Sequence, residues 1–106
     1  MQEAICKRAI KTYGENHQMI QCIEEMSELT KALTKYIGRN PKEVFCIDDI
    51  AEEIADVEIM IYQLKMMLGF EAHIEKVKEY KLKRLENRLD ELCQKERNDS
   101  GKAESL

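Results

Sequence analysis

The chain has 106 residues, 43% hydrophobic and 36% charged, with one proline, four glycines and no tryptophan. That length argues for a single domain, and so few turn residues argue against a β-sandwich. A formal net charge of −4, from 17 basic and 21 acidic residues, speaks against a general nucleic-acid-binding surface but leaves room for a local basic pocket.

In chain order, a first short helix is expected over Gln2 to Tyr13, broken by Gly14-Glu15-Asn16. A second runs from about His17 to Ile37. Gly38-Arg39-Asn40-Pro41 stops it, because glycine suits a left-handed C-cap and proline cannot continue a helix. After a loop to about Ile47, Asp48 or Asp49 is expected to cap a third helix that reaches Leu68 and ends at Gly69. A fourth is expected from Glu71 to about Glu96. The polar stretch from Asn98 to Leu106 reads as a disordered tail, leaving 1–97 as one α-helical domain. The expected class is all-α, a four-helix bundle type. So short a chain has a thin core that oligomerisation commonly supplements.

No stretch is apolar enough for a membrane span, and Met1 to Lys11 has no signal-peptide core. Cys6, Cys22, Cys46 and Cys93 form no CxxC pair, so they are expected to be reduced thiols of a cytoplasmic protein. Cys6 and Cys22 are expected in the core.

At about 100° per residue, helical faces can be mapped. On the second helix Met19, Cys22, Ile23, Met26, Leu29, Leu33 and Ile37 form an apolar arc. Glu25 and Glu28 flank its edge, three residues apart and able to converge on one ion. On the third helix Ile50, Ile54, Val57, Met60, Ile61, Leu64 and Leu68 form the arc, with Glu53 inside it and Asp56 at its border. A carboxylate inside an apolar arc needs a cation, a basic partner or a proton. On the fourth helix Lys81 and Arg88 sit amid Ile74, Val77, Leu85, Leu89 and Leu92, with Arg84 at the edge. These three suit phosphate contact, Arg by two-point bonding. The plainer readings are a solvated acidic face, and basic residues that pair with Glu53, pair with a neighbouring subunit or reach out to water.

Carboxylates without histidine make an all-oxygen site of the kind that takes Mg²⁺ or Mn²⁺ rather than zinc or copper. His17 and His73 lack the Glu-x-x-His context of di-iron bundles and read as surface or capping residues.

The pairing of Glu24-Glu25-Met26-Ser27-Glu28 with Glu53-Ile54-Ala55-Asp56, followed by Lys81-Leu82-Lys83-Arg84, resembles the MazG-like family of all-α nucleoside triphosphate pyrophosphohydrolases. The resemblance covers about Ile20 to Arg88. It implies a dimer, or a tetramer of paired dimers, that hydrolyses a nucleoside triphosphate to monophosphate and pyrophosphate. It further implies Glu25, Glu28, Glu53 and Asp56 as Mg²⁺ ligands, Glu24 as the residue that orients or deprotonates water, and Lys81 and Arg84 as phosphate contacts. Arg88 is added from its helix position. Base contacts are sought in the Gly38–Ile47 loop, at Asn40 or Phe45. The competing expectation is a non-catalytic interaction module that keeps the fold, with Leu82, Leu85, Leu89 and Leu92 as a coiled-coil surface.

Overall fold

The computed structural model describes residues 1–38 and 47–104, with side chains as far as Gly101. It contains four helices: α1 (Gln2–Tyr13), α2 (Glu15–Ile37), α3 (Ile47–Leu68) and α4 (Glu71–Glu104). No strand occurs among the described residues, as the all-α expectation requires. No helix is long and apolar enough to cross a membrane. The chain divides into two units, Met1–Gly69 and Phe70–Leu106, where the sequence suggests one domain. The first holds α1 to α3 packed on one another; the second is α4.

Gly14 is the whole joint between α1 and α2. Its φ of 94° lies in the region that favours glycine; its N–H donates to the Ile10 carbonyl at 2.8 Å, and its own carbonyl accepts from the Gln18 N–H at 3.1 Å. Gly69, with φ of 68°, closes α3 in the left-handed conformation. Gly38 does not do so for α2: its φ is −86°, and its N–H donates to the Thr34 carbonyl within an ordinary last turn. Asp48 and Asp49 lie inside the first turn of α3 rather than capping it, where their negative charge favours the helix N-terminus. α4 continues to Glu104, so residues 98–104 are helical where a tail is expected. Lys, Glu, Arg and Ala are strong helix formers, and Gly101 alone costs only about 1 kcal/mol against alanine.

α2 and α3 form an antiparallel hairpin. Gln18 bonds to Gln63, Glu25 meets Glu53 and Asp56, and Glu28 to Lys35 share a cleft with Asp49 to Glu53. The partner's number falls on α3 as it rises on α2. The seam of α2 runs through Gln18, Cys22, Glu25, Leu29, Ala32 and Tyr36, and that of α3 through Ile50, Glu53, Val57, Met60, Leu64 and Met67, all buried or half-buried. Steps of three and four residues keep each row on one face. The seam of α2 is rotated from the expected arc: Glu25 belongs to it, while Ile23, Met26, Leu33 and Ile37 are exposed. On α3, Ile54, Ile61 and Leu68 of the expected arc are exposed, as are Ile47 and Ile59.

Among the described residues the buried hydrophobic ones are Cys6, Cys22, Val57 and Met60, which bears out the core placement of both cysteines. Burying Met60 contributes about 1.5–3 kcal/mol. Burial also pushes the Cys22 thiol above its ordinary value. All three described cysteines are free; Cys46 lies outside the described residues.

One polar pair sits in this core. The Gln18 amide donates from Nε2 to Gln63 Oε1 at 2.8 Å, and Gln18 Oε1 accepts from His17 Nδ1 at 2.8 Å. His17 is at the surface, as expected, and stacks on Tyr13 with ring centroids 5.2 Å apart.

Candidate metal centre

Two turns along the seam from the glutamine pair, carboxylates face each other. Glu25 on α2 and Glu53 and Asp56 on α3 each offer an oxygen within 4.8 Å of the others. Glu25 and Glu53 are half-buried, and Asp56 is exposed. The three residues therefore form a graded entrance, with Asp56 toward solvent and Glu53 toward the seam.

Glu53 is the unusual member. Its Oε2 is sealed from solvent and has no hydrogen-bond partner. Desolvation by burial pushes its carboxyl above the ordinary carboxylate value. The negative charges of Asp56, Glu25, Glu28 and Glu52 push it the same way. Glu53 therefore stands where an external positive charge or a proton is most strongly favoured.

Glu25 is held by Gln21, whose Nε2 donates to Glu25 Oε1 at 2.9 Å one turn earlier on α2. Gln21 is not among the expected site residues; its spacing of four from Glu25 is the sequence signal that marks it. A polar neighbour that fixes a carboxylate is the usual support of an oxygen-ligand site.

The expected set of four is thus partly assembled. Glu25, Glu53 and Asp56 come together. Glu28 is exposed and outside that trio, but it lines the adjoining cleft with Glu53 and is one of the charges that raise the Glu53 carboxyl. The cleft has a volume of about 260 Å³ and is also lined by Lys31, Ala32, Lys35, Asp49 and Ile50. Glu24 is exposed and is not one of the trio.

The basic candidates belong to the other unit. Lys81, Arg84 and Arg88 are exposed on α4. The Arg84 guanidinium lies over the Tyr80 ring, 5.9 Å from its centroid. Lys81 borders an apolar groove with Ile74, Val77, Leu82 and Leu85. Asn40 and Phe45 lie outside the described residues.

A buried carboxylate oxygen without a donor, surrounded by further carboxylates and no thiol or imidazole, fits a hard cation such as Mg²⁺ or Mn²⁺ in its donor chemistry. Compared with protein-family models, with curated proteins and with solved structures, the chain finds no match. The functional reading therefore rests on the residues of this chain.

Proposed function

We propose that the chain is a Mg²⁺-dependent pyrophosphohydrolase that converts a nucleoside triphosphate to the monophosphate and pyrophosphate. The observation that carries this reading is Glu53: a carboxylate in a helix seam, amid four other negative side chains, with one oxygen sealed and unpartnered. A cation answers that arrangement without any change of fold. The family pattern of Glu24 to Glu28 and Glu53 to Asp56 points the same way.

Glu25, Glu28, Glu53 and Asp56 would hold the ion. A bound divalent ion supplies positive charge against phosphate oxygens and lowers the pKa of water. The protein's own part is to hold Glu25 through Gln21 and to keep Glu53 away from bulk solvent. Glu24 is the candidate for orienting water and taking its proton as the α–β phosphoanhydride bond breaks and pyrophosphate leaves. Lys81, Arg84 and Arg88 are proposed as phosphate contacts on their chemistry alone. The proposal includes a homodimer or homotetramer in the cytoplasm, which would cover apolar side chains such as Ile23 and Ile37, 59% and 82% exposed.

A second reading is a helical interaction module without catalysis. It is favoured by α4, where Leu82, Leu85, Leu89 and Leu92 are each about half exposed in a two-heptad pattern. Pyrophosphate release from a panel of canonical and modified nucleoside triphosphates, with Mg²⁺ and with chelator, separates the two. Release that requires Mg²⁺ supports the hydrolase. No release from any of them, with or without the metal, supports the module.

A further inference from the structure

The cleft beside the carboxylates carries two residues that the function outlined above has not used. Lys31 and Lys35 line it together with Glu28, Ala32, Asp49, Ile50 and Glu53. On α2 the order is Glu28, Lys31, Ala32, Lys35, in steps of three, one and three residues, so all four share a face. From Glu28 to Lys35 the helix rises about 10 Å. The cleft is therefore graded in charge along α2. At one end Glu28 and Glu53 lead back to Glu25 and Asp56; toward the other stand two ammonium groups and the single carboxylate of Asp49.

Neither lysine is taken up by an ion pair among the described residues. Among the described residues the ion pairs are Glu3–Lys7 and Lys83–Glu86, and Asp49, which faces the same cleft, is joined to neither Lys31 nor Lys35. Ala32 is small and Ile50 is apolar, so the space between the charged residues is open rather than filled by side chains. A carboxylate cluster at one end and two ammonium groups against one carboxylate at the other match a polyanion that travels with a divalent cation. A phosphate chain with its bound metal has that character; a simple carboxylate or a neutral sugar does not.

We infer that Lys31 and Lys35 are phosphate-binding residues, and that the polyphosphate of the substrate lies in the α2–α3 cleft along α2, from the carboxylates toward Lys35. This rests on the pyrophosphohydrolase reading for the identity of the substrate, but not for the binding itself. Lysine acts here as a point charge and a three-way donor, so charge is what the cleft supplies.

The test uses the full chain and inorganic tripolyphosphate with Mg²⁺, measured by calorimetry. Lys31→Gln or Lys35→Gln is expected to weaken binding about tenfold, and the double variant further. Lys31→Arg and Lys35→Arg, which keep the charge, are expected to stay close to the parent. Both lysines are exposed, so the fold is expected to be unaffected. In nucleotide hydrolysis the glutamine variants are expected to raise KM more than they lower kcat. Binding by the double glutamine variant equal to that of the parent overturns the inference, as does a parent chain that binds no tripolyphosphate. Lysine-dependent binding without pyrophosphate release from any nucleotide overturns the hydrolase reading and upholds the phosphate site.

Discussion

Gln18 and Gln63 meet in the seam of α2 and α3 with a 2.8 Å hydrogen bond, whereas two turns away Glu25, Glu53 and Asp56 meet with one buried oxygen left over. Both layers place polar groups where apolar ones would pack more simply. The amide layer is answered from within the chain: a donor meets an acceptor, His17 bonds to the remaining Gln18 oxygen, and no net charge is buried. Such a pair holds two antiparallel helices in one register, because a slip of one residue would strand both amides. The carboxylate layer offers acceptors only. Its one internal donor is Gln21, which serves Glu25 and leaves Glu53 unanswered. A polar layer that closes on itself is structural; one that leaves a charge open in the same seam points outside the chain.

The largest effect expected from this contrast is on activity. Glu53→Ala should lower Mg²⁺-dependent pyrophosphate release by about a hundredfold or more, the scale on which loss of one preorganised electrostatic group is felt. Far-UV circular dichroism should remain helical. Retained activity in this variant would remove Glu53 from the site.

The amide layer should respond in stability instead. Gln63→Leu leaves the Gln18 amide buried without its partner and should cost about 1–3 kcal/mol in urea unfolding. Replacing both glutamines by leucine should recover a large part of that loss, because no stranded donor remains. If the double variant is no better than the single one, the pair contributes more than mutual satisfaction.

A smaller effect separates the layers by pH. The Glu53 carboxyl is raised in the folded chain, chiefly by burial and then by Asp56 and Glu25. A raised carboxyl favours folding below the unfolded carboxylate value, and that contribution is lost as pH rises through the folded value. Without metal, the parent chain should therefore gain stability relative to Glu53→Gln as pH falls through this window. At neutral pH Glu53→Gln should melt higher than the parent. Parallel melting curves across that range would show that Glu53 carries no strain.

At the small end, Lys83→Ala removes an exposed pair, Lys83 Nζ to Glu86 at 2.6 Å, and should leave the melting temperature unmoved. The hydrogen bond and opposite charge raise the Lys83 ammonium and lower the Glu86 carboxyl. Ion pairing in the open nevertheless stabilises little.

The sequence reveals these layers unequally. The four helices are legible because hydrophobic periodicity, Gly14 and Gly69 mark them, and α1 starts and ends where expected. Glu53 is legible because it interrupts an apolar arc. The phase of α2 is not, since its apolar arc is wider than the strip α3 covers. Which strip is chosen depends on partners: Cys22 is buried while Ile23 beside it is 59% exposed. For the same reason Glu25 reads as an edge residue and turns out to lie in the seam. Gln18 and Gln63 give no signal by themselves, because an amide looks equally at home on the surface until its partner is known. Lys31 and Lys35 likewise give no signal by themselves; only the approach of Asp49 and Ile50 shows the cleft they line. The end of α4 is not legible, because the short Gly/Ser-containing composition suggests a tail while the Lys, Glu and Ala around it favour the helix that runs to Glu104.

The central claim is that the carboxylate layer is completed by a divalent cation, and thermal unfolding with and without Mg²⁺ tests it most directly. An ion that binds only the folded chain stabilises it by about 2.7 kcal/mol at a hundred times its dissociation constant. The account predicts a Mg²⁺-dependent rise in melting temperature for the parent chain, absent from Glu53→Gln, whose own metal-free value is already higher. Equal shifts in both proteins, or none in the parent at saturating Mg²⁺, would contradict it.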